Sequence, residues 1–183
     1  FDGNGSALVR LANDVVVSGS GAATVSVSGS GVARPLMVLE GGSRSVSVGV
    51  GAGLGVGADV AGAHLVKSGA GSMAVGGAVT LTDGLVVSGG LMGLDGRAEL
   101  GRLAVGSGAG LTASSSLRVA GGSEFRGMAT LSGSTVLTGS VLVDGGEVGL
   151  FGKNTIGSDV RVVAGRLSLG GETLMDAART VRM

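Results

Sequence analysis

Apolar and small polar residues alternate along this chain, and glycine repeatedly cuts the alternation. Ala23-Thr24-Val25-Ser26-Val27-Ser28 and Ser45-Val46-Ser47-Val48-Gly49-Val50 are the clearest runs, with Val79-Thr80-Leu81-Thr82 and Leu167-Ser168-Leu169 as shorter ones. A period of two puts valine and leucine on one face of a strand and serine or threonine on the other. Short strands punctuated by glycine, with no long helical pattern between them, predict an all-β fold. Val25, Val27, Val46, Val48, Leu81, Leu167 and Leu169 are accordingly expected to point into the core. Alternation and glycine punctuation run from about residue 8 to residue 171.

A longer period lies over the short one. Phrases of one cadence start at Leu65, Leu85, Leu103, Leu117, Val141 and Val160, separated by 20, 18, 14, 24 and 19 residues. The irregular pair sums to two ordinary intervals, so one landmark is displaced within its repeat, and the mean is 19. That period is short for a propeller blade, and the asparagine of a leucine-rich repeat is missing. What remains is a parallel β-helix (β-solenoid) of about 19 residues per rung. Each rung is expected to hold two or three short strands, with glycine at corners that need positive φ. Nine to ten rungs stacked at about 4.8 Å would make a rod about 45 Å long. Residues 1–60 fit less cleanly, and the valine runs beginning at Val15 and Val25 read as two strands of one rung.

Composition suits such a coil. The chain has 183 residues with 40 Gly, 28 Val, 21 Leu and 21 Ala, but no Trp, no Tyr and 3 Phe. A slim interior of stacked ladders takes Val, Leu and Ala, whereas that much glycine excludes a helix bundle. Phe125 and Phe151 are read as core plugs at irregular rungs. With no Cys there is no disulfide framework, thiolate metal site or cysteine nucleophile. Thirteen basic residues balance thirteen acidic ones, so the basic excess of nucleic-acid binders is absent. Mean hydropathy is +0.55, yet the longest uncharged run, between Asp14 and Arg34, is broken by serine and glycine. No membrane-spanning segment is therefore expected, and a membrane barrel would need the aromatic girdles this chain lacks.

The segment Leu65-Val66-Lys67-Ser68-Gly69-Ala70-Gly71, followed by the strand Ala78-Val79-Thr80-Leu81-Thr82 and by Leu85-Val86-Val87-Ser88-Gly89, resembles the repeats of bacterial autotransporter passenger domains. Those repeats read Leu-x-Lys-x-Gly-x-Gly, then a polar turn, then an alternating strand ending in glycine. The match covers residues 65–105, and elsewhere only the cadence is shared. The family's Asn-Thr-Tyr-x-Gly-Gly-Thr segment is absent. The resemblance implies a single-stranded right-handed parallel β-helix, secreted or displayed on a Gram-negative cell surface at the outer membrane. The chain opens on Phe1 and no aromatic-rich translocator follows, which fits a passenger or a piece of one.

Motifs that carry chemistry are few. Gly49 to Gly57 looks like a nucleotide cradle, but no helix pattern follows it, so solenoid corners are expected there. Gly152-Lys153-Asn154-Thr155 echoes the end of a phosphate loop without its first glycine or its hydroxyl residue. Asp59 stands where one half of a calcium β-roll site would, but the second half-site, at residue 68, is Ser. Asp83, Asp95, Arg97, Glu99 and Arg102 are the carboxylates and cations a β-helix hydrolase or lyase would use. The Asp-Gly pairs at 83, 95 and 144 read as turns instead. His64, the sole histidine, is expected on a strand facing solvent. No catalytic residue, metal or cofactor is assigned.

The function expected is that of a non-enzymatic surface passenger: an adhesin, a binder of a host surface or extracellular protein, or a spacer. Its binding residues are expected in loops that interrupt the coil, at Ala33, Arg34 and Pro35, and at the polar break Ser114, Ser115 and Ser116. The alternative is a subunit that self-associates end to end into an extracellular fibre or sheath. A polysaccharide-degrading enzyme on the same scaffold comes third. The solenoid is expected over residues 1–171. After Gly171 no glycine follows, and Thr173-Leu174-Met175-Asp176 fits a helix start with Leu174, Ala178 and Val181 at helical spacing. Residues 172–183 are therefore expected as a short helix, an ordered cap or a linker.

Overall fold

The computed structural model describes residues 8–25, 35–175 and 181–182; for residues 24 and 25 it describes the backbone alone. Among these residues there is no helix, and every strand pairing is parallel. The chain winds as a β-solenoid with three faces. In the first rung the strands are Leu8–Leu11, Val15–Val17 and Gly21–Val25. Each pairs with its counterpart in the second rung, at Leu36–Leu39, Ser43–Val48 and Ala52–Val56. Val15–Val17 and Val25 thus stand on the second and third faces of a single rung, and the rest of the run that begins at Val25 lies outside the described residues.

Register shows the period directly. On the first face Val60, Val79, Ala98, Leu117, Thr135, Asn154 and Thr173 stack in one inward column, at intervals of 19, 19, 19, 18, 19 and 19 residues. From Leu36 onward the coil makes about seven turns. The landmark out of step is Leu117. It lies on the first face, while Leu65, Leu85, Leu103, Val141 and Val160 share a second-face column in which the sixth rung contributes Ser123. A serine at an inward position hid that repeat.

Inward columns of the three faces meet in one core. Val46, Val48, Leu81, Leu85, Leu94, Leu103, Leu131 and Val143 are buried within it. Side chains one position apart point outward, so the period-two alternation is realised strand by strand. Phe125 fills the second-face column between Val105 and Val143 and is fully buried. Phe151 does not plug the core. It sits at a corner beyond the third face, 52% exposed, with its ring over Gly149 and Gly170. Leu167 is half-buried and Leu169 is 47% exposed, although both occupy inward columns, because they stand on the last complete rung. Val27 lies outside the described residues, as does the side chain of Val25.

Corners are short, and two glycines show what they demand. Gly51 has φ +74, which a side chain would strain. At Gly133 an added Cβ would lie 1.5 Å from the carbonyl oxygen of Ser115 in the rung below. The Gly49–Gly57 run divides differently from the corner reading. Gly49, Gly51 and Gly57 flank a strand, while Gly53 and Gly55 lie on its outward face.

The C-terminal segment does not begin a helix. Thr173–Met175 is a strand in register with Asn154–Ile156, and Val181–Arg182 pairs with Val160–Arg161. The coil therefore passes residue 171. Backbone groups along a sheet edge need partners, and that demand outweighs a local helix signal. Residues 176–180 lie outside the described part.

Candidate interaction surface

The outward side of the third face is lined mostly by small residues. Along one outward column the rungs contribute Ala22, Gly53, Ser72, Leu91, Gly110, Met128, Glu147 and Arg166. The neighbouring column includes Gly55, Ala74, Gly93, Thr112, Thr130, Gly149 and Ser168. Most of these side chains are so small that the backbone itself forms the surface. Leu91 stands out at 62% exposed and Met128 at 60%, and a shallow depression of about 390 Å³ lies between them over a floor of glycines. A second hollow, lined by Glu147, Arg166, Ser168 and Phe151, continues the groove past Met128.

The first and second faces carry paired charges instead. Arg97 bonds Glu99 on one strand edge. Glu124 accepts from Arg126 at 2.9 Å with Arg102 at 3.7 Å, and Arg126 reaches Asp144 at 3.5 Å. Arg10 with Glu40 and Lys153 with Glu172 link rungs near the two ends. Each such exposed pair contributes at most about 1 kcal/mol. Of the five hydrolase candidates, Arg97 and Glu99 pair with each other, while Arg102 approaches Glu124 instead. Asp95 accepts from the Ser114 hydroxyl at 3.3 Å, and Gly84, after Asp83, takes φ +141. Asp59 accepts the Ala78 N–H of the next rung at 2.7 Å, and His64 Nδ1 lies 3.0 Å from the Ser43 hydroxyl. Among the described residues no three His, Asp or Glu side chains come together.

Four buried polar residues, Lys67, Ser123, Thr135 and Asn154, escaped the sequence reading, and two of them gather backbone carbonyls. Lys67 is fully buried, stacked between Val46 and Val87. Its ammonium donates to three backbone carbonyls, of Gly69 at 2.8 Å, Gly71 at 2.5 Å and Gly89 at 2.7 Å. Three donors meet three acceptors, and burial pushes the ammonium below the ordinary lysine range. Asn154 does similar work at another corner. Its amide nitrogen reaches the carbonyl of Gly152 at 2.9 Å and the Thr173 hydroxyl at 3.2 Å. Parity was the available signal for Lys67, since it keeps step with Leu65 as Val87 does with Leu85.

Of the loop residues expected to bind, Ala33 and Arg34 lie outside the described residues. Pro35 precedes the second rung's first strand, and its carbonyl accepts from the Asp59 N–H at 2.8 Å. Ser114, Ser115 and Ser116 do not interrupt the coil. They form the corner between Ala109–Ala113 and Leu117–Val119, the place taken one rung earlier by Asp95, Gly96 and Arg97. The Ser116 carbonyl accepts from the Ala98 N–H at 2.8 Å, an ordinary rung-to-rung bond.

These features define a three-faced parallel β-solenoid with one flat, small-residue face. Compared with family models, curated proteins and solved structures, the chain matches none. No described helix is long and apolar enough to cross a membrane.

Proposed function

We propose that the chain is a non-enzymatic, secreted or cell-surface β-helical passenger, acting as an adhesin, a host-protein binder or a spacer. The observation that carries this reading is the third face, where Leu91, Met128 and Phe151 stand exposed above a floor of small residues. A coil with short corners offers its faces, rather than loops, as binding surface, and exposed apolar groups on one side favour contact with another macromolecule. Five exposed cations, Arg10, Arg97, Arg102, Arg126 and Lys153, pair with carboxylates, which speaks for a structural role of these charges. Display on a Gram-negative surface rests on the resemblance in residues 65–105.

Antibody labelling of intact producing cells, with and without protease shaving, tests the location. Protein confined to the cell interior overturns it. Binding of the purified chain to cultured host cells, lost in a Leu91→Ser/Met128→Ser variant, supports the binding role. Turnover of any glycan on a panel overturns the non-enzymatic reading. A second reading, end-to-end fibre growth, is favoured by the exposed Val163, Leu169 and Leu174 near the last rungs.

A further inference from the structure

The geometry points to the third face as a homodimer interface in which two copies pack face to face with their coils antiparallel. The observation is the order of sizes along its outward column. Reading up the rungs, Ala22, Gly53 and Ser72 are small, Leu91 is large, Gly110 is small, and Met128, Glu147 and Arg166 are large. A two-fold axis lying in the interface along the strand direction, between the rungs of Leu91 and Gly110, keeps the column facing itself and reverses rung order. Met128, Glu147 and Arg166 then each meet a small residue. Met128 faces the second copy's Ser72, Glu147 faces Gly53 and Arg166 faces Ala22, while the two Leu91 side chains stand next to the axis. Identical patches that complement themselves are what a two-fold interface requires.

Neighbouring features agree with this register. Leu91 leans over Gly110 of its own chain, reaching within 2.7 Å of where a Cβ would stand. The two leucines therefore meet beside the axis above paired glycines and form an apolar centre. The Phe151 ring, which rises over Gly149, falls opposite the rung of Gly55. Glu147 and Arg166 fall at the ends of the contact, the charged rim expected of a non-obligate interface. Eight rungs at about 4.8 Å and about five residues of strand give a face of about 600 Å² per copy. That is somewhat below the usual 800 Å² per partner, so the dimer is weak and reversible. This inference rests on the face and not on the chain's location or on adhesion to a host.

Sedimentation equilibrium of the full chain across micromolar concentrations is expected to show a monomer and dimer alone. A monomer throughout, or open-ended oligomers, overturns the proposal. Gly53 has negative φ, and its nearest neighbour to an added Cβ is the Ser72 hydroxyl at 3.3 Å, so a side chain fits there. Gly53→Glu sets a carboxylate against the second copy's Glu147 and is expected to weaken the dimer at least tenfold. Gly53→Arg is expected to leave it as tight or tighter. Equal effects from both variants overturn the register. Because the chain has no cysteine, a Ser72→Cys/Met128→Cys variant treated with a short bis-maleimide, to which each thiol adds as a thioether, is expected to yield covalent dimers. Each single variant is expected to yield few, since its like residues lie three rungs apart across the axis. Equal cross-linking by the single variants overturns the antiparallel pairing.

Discussion

Replacing Lys67 with methionine isolates the buried ammonium from the packing around it. The two side chains are similar in length and both are flexible, so the interior column from Val46 to Val87 stays filled. What is lost is the donor to Gly69, Gly71 and Gly89. Each hydrogen bond to a charged group contributes about 1.5–3 kcal/mol, and a buried acceptor left without a donor costs about 1–3 kcal/mol. Against this, removing the charge recovers several kcal/mol of desolvation. The net expected loss is about 2–4 kcal/mol, or roughly 5–15 °C in Tm for a chain of this size. Alkaline pH gives a second readout. Burial lowers the folded-state pKa of Lys67, while the unfolded chain titrates near 10.4. Between the two values the unfolded state binds more protons, so stability rises with pH up to about 10.4 and then levels. Tyrosine and cysteine are absent and Lys153 is the only other lysine, so Lys153→Met serves as the control that keeps the rise. Thermal melts from about pH 7 to 11 read both effects. If Lys67→Met melts with the parent and the parent shows no alkaline rise, the carbonyl cage is not a structural support.

Other perturbations test other parts of the coil. Val48→Asp puts a carboxylate at a fully buried position and is expected to abolish cooperative folding by circular dichroism, since an unpaired buried charge costs several kcal/mol. Phe125→Ala empties a closed inward site and is expected to cost about 3–5 kcal/mol in urea unfolding, with Phe151→Ala well below that. Gly133→Ala forces a Cβ onto the Ser115 carbonyl and is expected to lower Tm far more than Gly53→Ala, where the tight contact is the Ser72 hydroxyl at 3.3 Å, a side-chain atom that can turn aside. Arg126→Ala breaks contacts to Glu124 and Asp144, but Arg126 is exposed and both carboxylates are at least partly so, so a loss within about 1 kcal/mol is expected and should shrink further in high salt.

Local pattern carried the architecture. Alternation in Ser45–Val48 set the inward valines, while Val50 of the same run falls at a corner, and the spacing from Leu65 to Val160 set a rung of 19 residues. Both are repeated on every turn, so single exceptions such as Leu117 did not obscure them. The Asp-Gly pairs at 83 and 144 marked corners where Gly84 and Gly145 take positive φ, while Gly96, after Asp95, turns its corner without one. The candidate binding loops were less legible. Ser114–Ser116 reads as an interruption by composition, yet any short polar triplet makes the same corner once two rungs fix its ends.

The sequence by itself determined that strands form, which side of each faces inward and how long a rung is, because those properties depend on neighbours two or nineteen positions away. Only the tertiary structure decided the rest. Lys67 became a structural support because three carbonyls, two from its own corner and one from the next, converge on its ammonium. Leu169 and Phe151 lost the core because a side chain on the last complete rung or at a corner has no rung or column to cover it. Thr173–Met175 joined the coil because an exposed sheet edge offers backbone partners that an isolated helical turn does not. The sizes along the third face acquired meaning only when register set residues from eight rungs in a single column.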